Sequence, residues 1–283
     1  MSSSFLIIGA NGQLGKALQA QYPQARTADM DELDITDPGA LEAFDWSGID
    51  TILNAAAYTN VDGAEAQDGR IIAWNVNAVA PANLTKIANA KDITLVHIST
   101  DYVFDGTHEA HTESELFSPL SVYGASKAAG DIAIMQSNKY YILRTSWVIG
   151  DGKNFVRTML ELGQKGISPS VVHDQVGRLT FTSELVKAID HLLTTKPTFG
   201  TYNVSNSGDI VSWADITREI FTEAGFDLQV TNTTTEDYYR GKTGIAPRPQ
   251  QSAFNLEKVQ ATGFASTDWR IDLHRYINKE LGK

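Results

Sequence analysis

The chain has 283 residues, 42% hydrophobic and 20% charged, as expected of a globular protein with a substantial buried core. Its net charge of −11, without a run of lysine or arginine, argues against nucleic acid or an anionic membrane as partner. The lack of cysteine excludes disulfides, thiolate catalysis and cysteine-ligated zinc. The apolar run Phe5 to Ile8 is too short for a signal peptide or membrane span, so we expect a cytoplasmic protein.

The first half of the chain alternates short apolar runs with longer amphipathic stretches, a pattern typical of strand–helix units on a parallel sheet. The predicted strands are Phe5 to Ile8, Thr51 to Asn54, Leu95 to Ser99 and Tyr141 to Thr145. The predicted helices are Leu14 to Gln21, Gly69 to Ala90 and Ser121 to Gln136. The sequence therefore predicts an α/β fold with a doubly wound parallel sheet.

After about Val148 the pattern becomes turn-rich, notably at 150–154 and 231–235, with predicted helices at Phe155 to Gly163, Ser183 to Leu193 and Trp213 to Ala224. We expect a dinucleotide-binding domain at 1–148, completed by parts of 178–206. Residues 149–177 and 207–283 are expected to form a smaller, mainly substrate-binding region. Because ligands of open parallel sheets bind at the carboxyl ends of the strands, the active site is predicted between the two parts.

A glycine-rich turn follows the first predicted strand and opens a helix, as a dinucleotide-binding turn in a Rossmann-type fold requires. Glycine permits close approach of the backbone to a pyrophosphate, and the helix N-terminus offers free N–H groups. The spacing is GxxGxxG rather than GxGxxG, so a tight turn without a ligand is the alternative. The predicted cofactor contacts here are Gly9, Asn11, Gly12, Gln13, Leu14 and Gly15.

Asp29 lies twenty residues after Gly9, where a carboxylate can hydrogen-bond the adenosine ribose and favour NADH. Arg26 is able to accept the 2′-phosphate of NADPH instead, and both residues are equally consistent with surface charges. The choice between NADH and NADPH stays open. Further expected cofactor contacts are Asp34 and Ile35, with Ile35 against the adenine, and the small residues after the predicted strand Thr51 to Asn54, which are Ala55, Ala56 and Ala57, followed by Tyr58.

Tyr123 and Lys127 are four residues apart and therefore share one face of a predicted helix. An ammonium near a phenol lowers the phenol pKa and makes it a usable general acid for a carbonyl that becomes an alkoxide. Two surface residues are the alternative interpretation of so short a motif. The hydroxyl of Thr100, at the end of a predicted strand in the same half of the sheet, favours the catalytic interpretation.

This combination resembles the extended short-chain dehydrogenase/reductase superfamily. Within it, residues 96–106, which include the letters STDYVFDG, closely resemble the segment that marks the dTDP-4-dehydrorhamnose reductases. The resemblance continues through 55–62, 144–148, 153–156, 172–177 and 248–249 and spans nearly the whole chain.

The resemblance implies hydride transfer from NADPH or NADH to C4 of dTDP-6-deoxy-L-lyxo-4-hexulose, the last step of dTDP-L-rhamnose synthesis. It implies that Tyr123 donates the proton, that Lys127 anchors the nicotinamide ribose and lowers the phenol pKa, and that Thr100 holds the C4 oxygen. Asn77 matches the superfamily's helix asparagine near the cofactor. The implied substrate contacts are Val61, Thr100, Asp101, Tyr102 and Trp147 for the sugar and Asn154, Asp174, Gln175 and Arg248 for the nucleotide and its diphosphate.

Two departures from the family pattern matter. Residues 177–180 read Gly-Arg-Leu-Thr where relatives usually read GxPT, so the shape of that wall is open. Some members form a magnesium-bridged dimer through glutamates, but Lys16 and Ala17 stand in the corresponding stretch of the first helix. We therefore predict no metal site and expect a monomer or homodimer.

Two rival functions remain. A nucleotide-sugar epimerase or dehydratase of the same superfamily would retain its nicotinamide between half-reactions, but dehydratases generally follow the threonine with Asp-Glu, whereas Thr100 precedes Asp101 and Tyr102. A non-catalytic binder, such as the regulatory subunit of methionine adenosyltransferase, has no chemical need for Thr100, Tyr123 and Lys127 together.

The histidines add little at this level. His108 and His111 are interpreted as parts of an exposed polar loop rather than as metal ligands, because no further ligand lies nearby in sequence. His97, inside a predicted strand, is interpreted as a satisfied core or edge residue.

Overall fold

The computed structural model describes residues 4–282. In chain order its strands are β1 (Phe5–Ile8), β2 (Arg26–Ala28), β3 (Thr51–Asn54), β4 (Thr94–Thr100), β5 (Tyr140–Thr145), β6 (Val148–Ile149), β7 (Ser170–Val172), β8 (Val176–Gly177), β9 (Thr180–Phe181), β10 (Gly200–Asn203), β11 (Val211–Ser212) and β12 (Thr231–Thr233). Its helices are α1 (Gln13–Gln21), α2 (Pro38–Ala43), α3 (Gln67–Trp74), α4 (Ala80–Lys91), α5 (Val122–Ile134), α6 (Phe155–Gln164), α7 (Thr182–Thr195), α8 (Trp213–Ala224), α9 (Thr235–Tyr239), α10 (Glu257–Gln260) and α11 (Trp269–Glu280).

The central sheet has six parallel strands in the order β10-β5-β4-β3-β1-β2. The order reverses between β1 and β3, so the carboxyl ends of these two strands flank a crevice where ligands bind in folds of this kind. Leu6, Ile7 and Ile52 are fully buried, which explains why these strands read as unbroken apolar runs. The doubly wound α/β fold and the four predicted strands are confirmed.

Helices cover both faces of the sheet. Leu14 and Leu18 of α1 pack with Leu185 and Ile189 of α7 on one face. On the other face, Leu84 of α4 and other buried aliphatic residues form a second cluster with α2 and α5. The helix predicted over Gly69 to Ala90 is interrupted by a π-helical turn, Asn75–Val79, between α3 and α4.

The C-terminal region has its own core. Val156 of α6, Ile220 of α8 and Trp269 and Leu273 of α11 pack together there. The turn predicted at 231–235 is wrong, because Thr231–Thr233 forms β12 parallel to β7 and Thr234 caps α9. Three threonines in a row gave no hydrophobic alternation from which a strand would be recognised.

The chain crosses between the two regions more than once. From the C-terminal half, β10 joins the central sheet beside β5, and α7 packs against α1. Within residues 4–282, none of the helices is both long enough and apolar enough to cross a membrane.

Candidate active site

A groove runs along the carboxyl ends of the central strands in two connected halves. The first, here called the cofactor half, encloses about 540 Å³ and is lined by Gly9, Gly12, Asp29, Asp34, Ile35, Ala55, Ala56, Ala57 and Tyr58, among others. The second, the catalytic half, encloses about 390 Å³ and contains Gln13, Leu14, Val61, Thr100, Asp101, Tyr102, Tyr123, Lys127 and Trp147. Both halves share Gly12, Ala55 and Ala57, so they form one continuous site.

The glycine turn shapes the floor of the groove. Gly9 has φ +77°, and a Cβ on it would lie 2.6 Å from the backbone nitrogen of Ala56, so both conformation and space require glycine. A Cβ on Gly15 would lie 2.2 Å from the carbonyl oxygen of Gly9. Gly15 therefore serves helix–strand packing and does not line the groove. Asn11 is exposed, and its backbone N–H donates to Asp29.

The start of α1 is suited to an anion. Gly12 precedes the helix with no side-chain cap, which leaves N–H groups at the N-terminus available. Within the described residues, the buried side-chain oxygen Oε1 of Gln13 has no hydrogen-bond partner. A diphosphate fits this end of the groove, because it would accept from the free N–H groups.

Asp29 and Arg26 differ in position. Asp29 follows β2, lines the cofactor half and accepts from the N–H of Asn11 at 2.9 Å. Arg26 instead donates to the carbonyl of Asp45 at 2.7 Å and lies over the ring of Phe44. Among residues 4–282, no lysine or arginine lines the cofactor half. The expectation that Arg26 accepts a 2′-phosphate has no support in this arrangement.

Tyr123 is held in the catalytic half by the start of α5, which Ser121 caps through the N–H of Gly124. The side chain is 8% exposed and lies edge-on to Tyr102 with ring centroids 5.4 Å apart. Burial raises the pKa of Tyr123, and although the neighbouring Thr100 hydroxyl opposes this, the negative charge of Asp101 adds to the rise. Tyr123 therefore holds its proton firmly.

The raised pKa of Tyr123 bears on one expectation. Burial disfavours the phenolate more than the nearby groups favour it, and the lowering effect expected of Lys127 stays a prediction. Lys127, 1% exposed, donates from Nζ to the carbonyl of Ile98 at 2.6 Å and lies 3.2 Å from Nε2 of His97. Burial lowers the pKa of Lys127 to about 8, against the opposing effect of Asp131.

Thr100 and Asp101 form a linked pair. The Thr100 hydroxyl donates to Oδ1 of Asp101 at 3.0 Å and accepts from the N–H of Tyr102 at 3.2 Å. Burial raises the pKa of Asp101 to about 6, although hydrogen bonds from Ser252 and Thr100 oppose the rise. The protonation state of Asp101 thus decides where the Thr100 hydrogen points.

Comparison with known proteins connects this geometry to a family. The model of the RmlD substrate binding domain matches residues 3–281. A dTDP-4-dehydrorhamnose reductase from Aggregatibacter actinomycetemcomitans is 36% identical, over 94% of this chain and 95% of that protein. The chain belongs to the dTDP-4-dehydrorhamnose reductase family.

Solved structures of the family agree. A dTDP-4-dehydrorhamnose reductase from Clostridium acetobutylicum superposes with a TM-score of 0.91 at 37% identity, covering 98% of this chain and 99% of that chain. Another, from Bacillus anthracis in complex with NADP, has a TM-score of 0.90 at 36% identity and covers 99% of this chain and 100% of that chain. The Rossmann-type fold of the extended short-chain dehydrogenase/reductases is therefore confirmed.

The nucleotide contacts implied by the family resemblance are outside the groove lining. Asn154 caps α6 by accepting from Arg157, and its amide donates to the hydroxyl of Tyr276 at 2.7 Å. Asp174 accepts from the N–H and hydroxyl of Thr235. In this structure, Asn154 and Asp174 thus hold local structure together, and their binding role stays a prediction.

Gln175 and Arg248 are likewise engaged with other residues. Gln175 donates to the Thr235 hydroxyl at 2.9 Å. Arg248 pairs with Asp62 at 2.9 Å, stacks over the ring of Tyr239 and lowers the pKa of Asp62 against the effect of burial. A ligand diphosphate would have to compete with Asp62 for Arg248.

Asn77 supports the groove through the backbone of Tyr58 and does not line it. It lies in the π-helical turn, 1% exposed, and its amide accepts from the N–H of Tyr58 and donates to the carbonyl of Tyr58 and the hydroxyl of Ser126. Asn77 therefore fixes the backbone of Tyr58 against α5 and does not line the groove as predicted.

Sequence reasoning missed several lining residues. They are Ile8, Met30, Leu33, Ile72, Asn75 and Val76 in the cofactor half and Thr59, Ile98, Ser99, Thr145, Ser146, Val148 and Leu185 in the catalytic half. Position at a strand's carboxyl end could have indicated Ser99 and Thr145. The exposed-loop interpretation of His111 is also wrong, because its ring is fully buried, bonded to Glu115 and stacked on Phe104.

Proposed function

We propose that this protein reduces the C4 keto group of dTDP-6-deoxy-L-lyxo-4-hexulose to give dTDP-L-rhamnose, using NADPH or NADH. Its relatives are named dTDP-4-dehydrorhamnose reductases, one of them solved with NADP. The observation that carries the proposal is that Tyr123, Lys127 and Thr100 meet in the catalytic half, which is continuous with the cofactor half.

The residues divide the chemistry between them. The dinucleotide, when bound, supplies the hydride that adds to C4 of the sugar. Gly9, Gly12 and the start of α1 would hold its diphosphate, and Ala55 to Ala57 admit its flat rings. Tyr123 would give its phenolic proton to the C4 oxygen as negative charge develops there. Because the pKa of Tyr123 is raised, the proton stays on the phenol until that charge appears.

The hydroxyl of Thr100 is next to Tyr123 and would help hold the C4 oxygen. In the observed arrangement its hydrogen is donated to Asp101, so that Thr100 can donate to the substrate only after this bond changes. Val61, Tyr102 and Trp147 would line the sugar, and the Trp147 ring is fixed by stacking on Trp213 at 3.7 Å.

One assay distinguishes a reductase, an epimerase or dehydratase, and a non-catalytic binder. Reduced cofactor is mixed with the dTDP-keto-sugar and the purified protein, and both compounds are followed. A reductase oxidises one cofactor per sugar and forms dTDP-L-rhamnose. An epimerase or dehydratase changes the sugar without net cofactor oxidation, and a non-catalytic binder changes neither. Either of the last two outcomes contradicts the proposal.

Three further points are proposals. Residues 1–148 with parts of 178–206 bind the cofactor, supported by β10 in the central sheet, while 149–177 and 207–283 mainly serve the substrate. The protein works in the cytoplasm, a proposal that rests on its cysteine-free composition. It acts as a monomer or homodimer, which sedimentation velocity would decide.

A further inference from the structure

His97 is a buried ionisable residue to which the proposed reaction gives no role. Its side chain is 0% exposed in β4, beneath the catalytic half of the groove. Nδ1 lies 3.0 Å from the amide nitrogen of Asn54, and Nε2 lies 3.2 Å from Nζ of Lys127. Each ring nitrogen of His97 therefore faces a nitrogen of a neighbouring side chain.

The orientation of the Asn54 amide is fixed by a backbone N–H group and not by His97. Its Oδ1 accepts from the backbone N–H of Ala56 at 3.2 Å. A backbone N–H only donates, so a flipped amide would set two donors against each other. The Asn54 NH₂ group must then point at His97, and Nδ1 of His97 must accept.

The other ring nitrogen of His97, Nε2, must carry the hydrogen and donate it. The accepting Nδ1 requires a neutral ring, and burial agrees with this because it holds the pKa of His97 well below its usual range. A neutral imidazole with an accepting Nδ1 carries its hydrogen on Nε2. An ammonium on Lys127 would oppose that N–H, whereas a neutral amine accepts it and still donates to the carbonyl of Ile98.

We propose that His97, oriented by Asn54, is a positioning residue that favours the neutral amine form of Lys127, so that in alkaline solution the nicotinamide cofactor binds with uptake of a proton. The inference rests on the proposed function, because it assigns Lys127 to the cofactor. The two negative charges of the cofactor's diphosphate favour the ammonium form. Proton uptake then accompanies the move of Lys127 toward the ribose.

The charged groups around Lys127 are compatible with a lowered pKa of its amine. From its own helix Asp131 favours the ammonium, but Asp131 is itself engaged by Arg144 of β5 at 3.0 Å. Tyr123, one turn earlier, is neutral because its pKa is raised. Asp101, after β4, acts on Tyr123. Burial therefore outweighs Asp131 and lowers the pKa of Lys127 to about 8.

The test measures the dissociation constant of NADH and NADPH against pH, without sugar. In the wild type Kd should rise about tenfold per pH unit above the Lys127 pKa of about 8, because binding then requires a proton. His97→Gln should behave like the wild type, since its amide also accepts from Asn54 and donates to Lys127. His97→Glu should keep Kd flat over the same range, because a carboxylate accepts from both neighbours and stabilises the ammonium.

His191→Glu, on α7 and bonded to Thr262, is the matched control and should titrate like the wild type. Should His97→Glu fail to fold, calorimetry of the wild type above pH 8 in buffers of different ionisation enthalpy still counts the protons. No uptake, a flat wild-type Kd, or a His97→Glu profile like the wild type's overturns the inference. A protein that binds neither cofactor contradicts the proposed function as well.

Discussion

The cofactor half of the groove and the nucleotide contacts expected beside its catalytic half differ in what their polar groups do. At the start of α1 the N–H groups lack a side-chain cap and are available to a ligand. Arg248 and Asp174 instead bond to Asp62 and Thr235. The first region is arranged for a ligand, whereas the second must exchange internal bonds for ligand bonds.

This difference has an energetic consequence. Hydrogen bonds to groups already open to a ligand cost little rearrangement, because the backbone is fixed by glycine and alanine packing. A ligand that draws Arg248 from Asp62 must replace an ion pair that is partly buried. We call the expected nucleotide contacts Asn154, Asp174, Gln175 and Arg248 the substrate side, and we expect substitutions there to act on the KM of the dTDP-sugar through this competition.

The largest effect is expected at Tyr123, in the catalytic half of the groove. Tyr123→Phe should lower kcat by about a hundredfold or more, because only the transition state needs the phenolic proton. The Kd of the cofactor should change little. Tyr102→Phe, which alters the ring edge-on to Tyr123, is the matched control and should cost much less. Turnover near that of the wild type in Tyr123→Phe would remove the residue from the mechanism.

Arg248→Lys tests the substrate side. Lysine cannot provide bidentate donors, so the KM of the dTDP-sugar should rise about tenfold while the KM of NADH is unchanged. Asp62→Asn should lower or preserve the KM of the sugar, because it removes the group that competes for Arg248. Steady-state kinetics with both substrates provide the measurement. A lower Tm with no change in KM would mean that Arg248 is structural only.

Asp29→Ala tests the cofactor half. A 2′-phosphate would meet the Asp29 carboxylate, so its removal should shift the ratio of kcat/KM toward NADPH by about fivefold. Arg26→Ala is the control and should leave the ratio unchanged, since Arg26 is held by Asp45 and Phe44. Equal ratios in the wild type and Asp29→Ala would show that Asp29 plays no part in the preference.

Asp101, in the catalytic half, should make turnover of the sugar depend on pH. Above its pKa of about 6 the ionised carboxylate accepts the Thr100 hydrogen, and below it the protonated acid releases that hydrogen for the C4 oxygen. As pH falls through about 6, kcat/KM for the sugar should rise about two- to threefold. Asp101→Asn cannot ionise and should lack this inflection. The same inflection in both proteins would assign it to another group.

Much of the fold and the cofactor half could be predicted from the sequence, because both depend on local patterns. The apolar run Phe5 to Ile8 and the glycines after it specify a strand, a turn and a helix through backbone geometry alone. The pKa of Tyr123 could not be predicted, since it depends on burial beneath distant residues. Arg248 and Asp62 are far apart in sequence, so their ion pair follows only from the tertiary fold.

The smallest effect is expected from metal removal. Hydride transfer assisted by a tyrosine proton needs no Lewis acid, and the first helix carries Lys16 where a bridging acid stands in some relatives. Among residues 4–282, no group of three or more histidine or acidic side chains is arranged to hold a metal ion. Turnover should therefore persist after prolonged EDTA treatment in magnesium-free buffer.

The control is the same enzyme with added Mg²⁺, compared at equal ionic strength with a monovalent salt. Such a comparison is needed because Lys16 and Asp151 lie 3.6 Å apart on the surface and salt alone weakens such pairs. The contradicting result is that EDTA abolishes activity and that Mg²⁺, but not monovalent salt, restores it. That outcome would mean that carboxylates from separate copies of the chain assemble a metal site, and that activity depends on the oligomeric state.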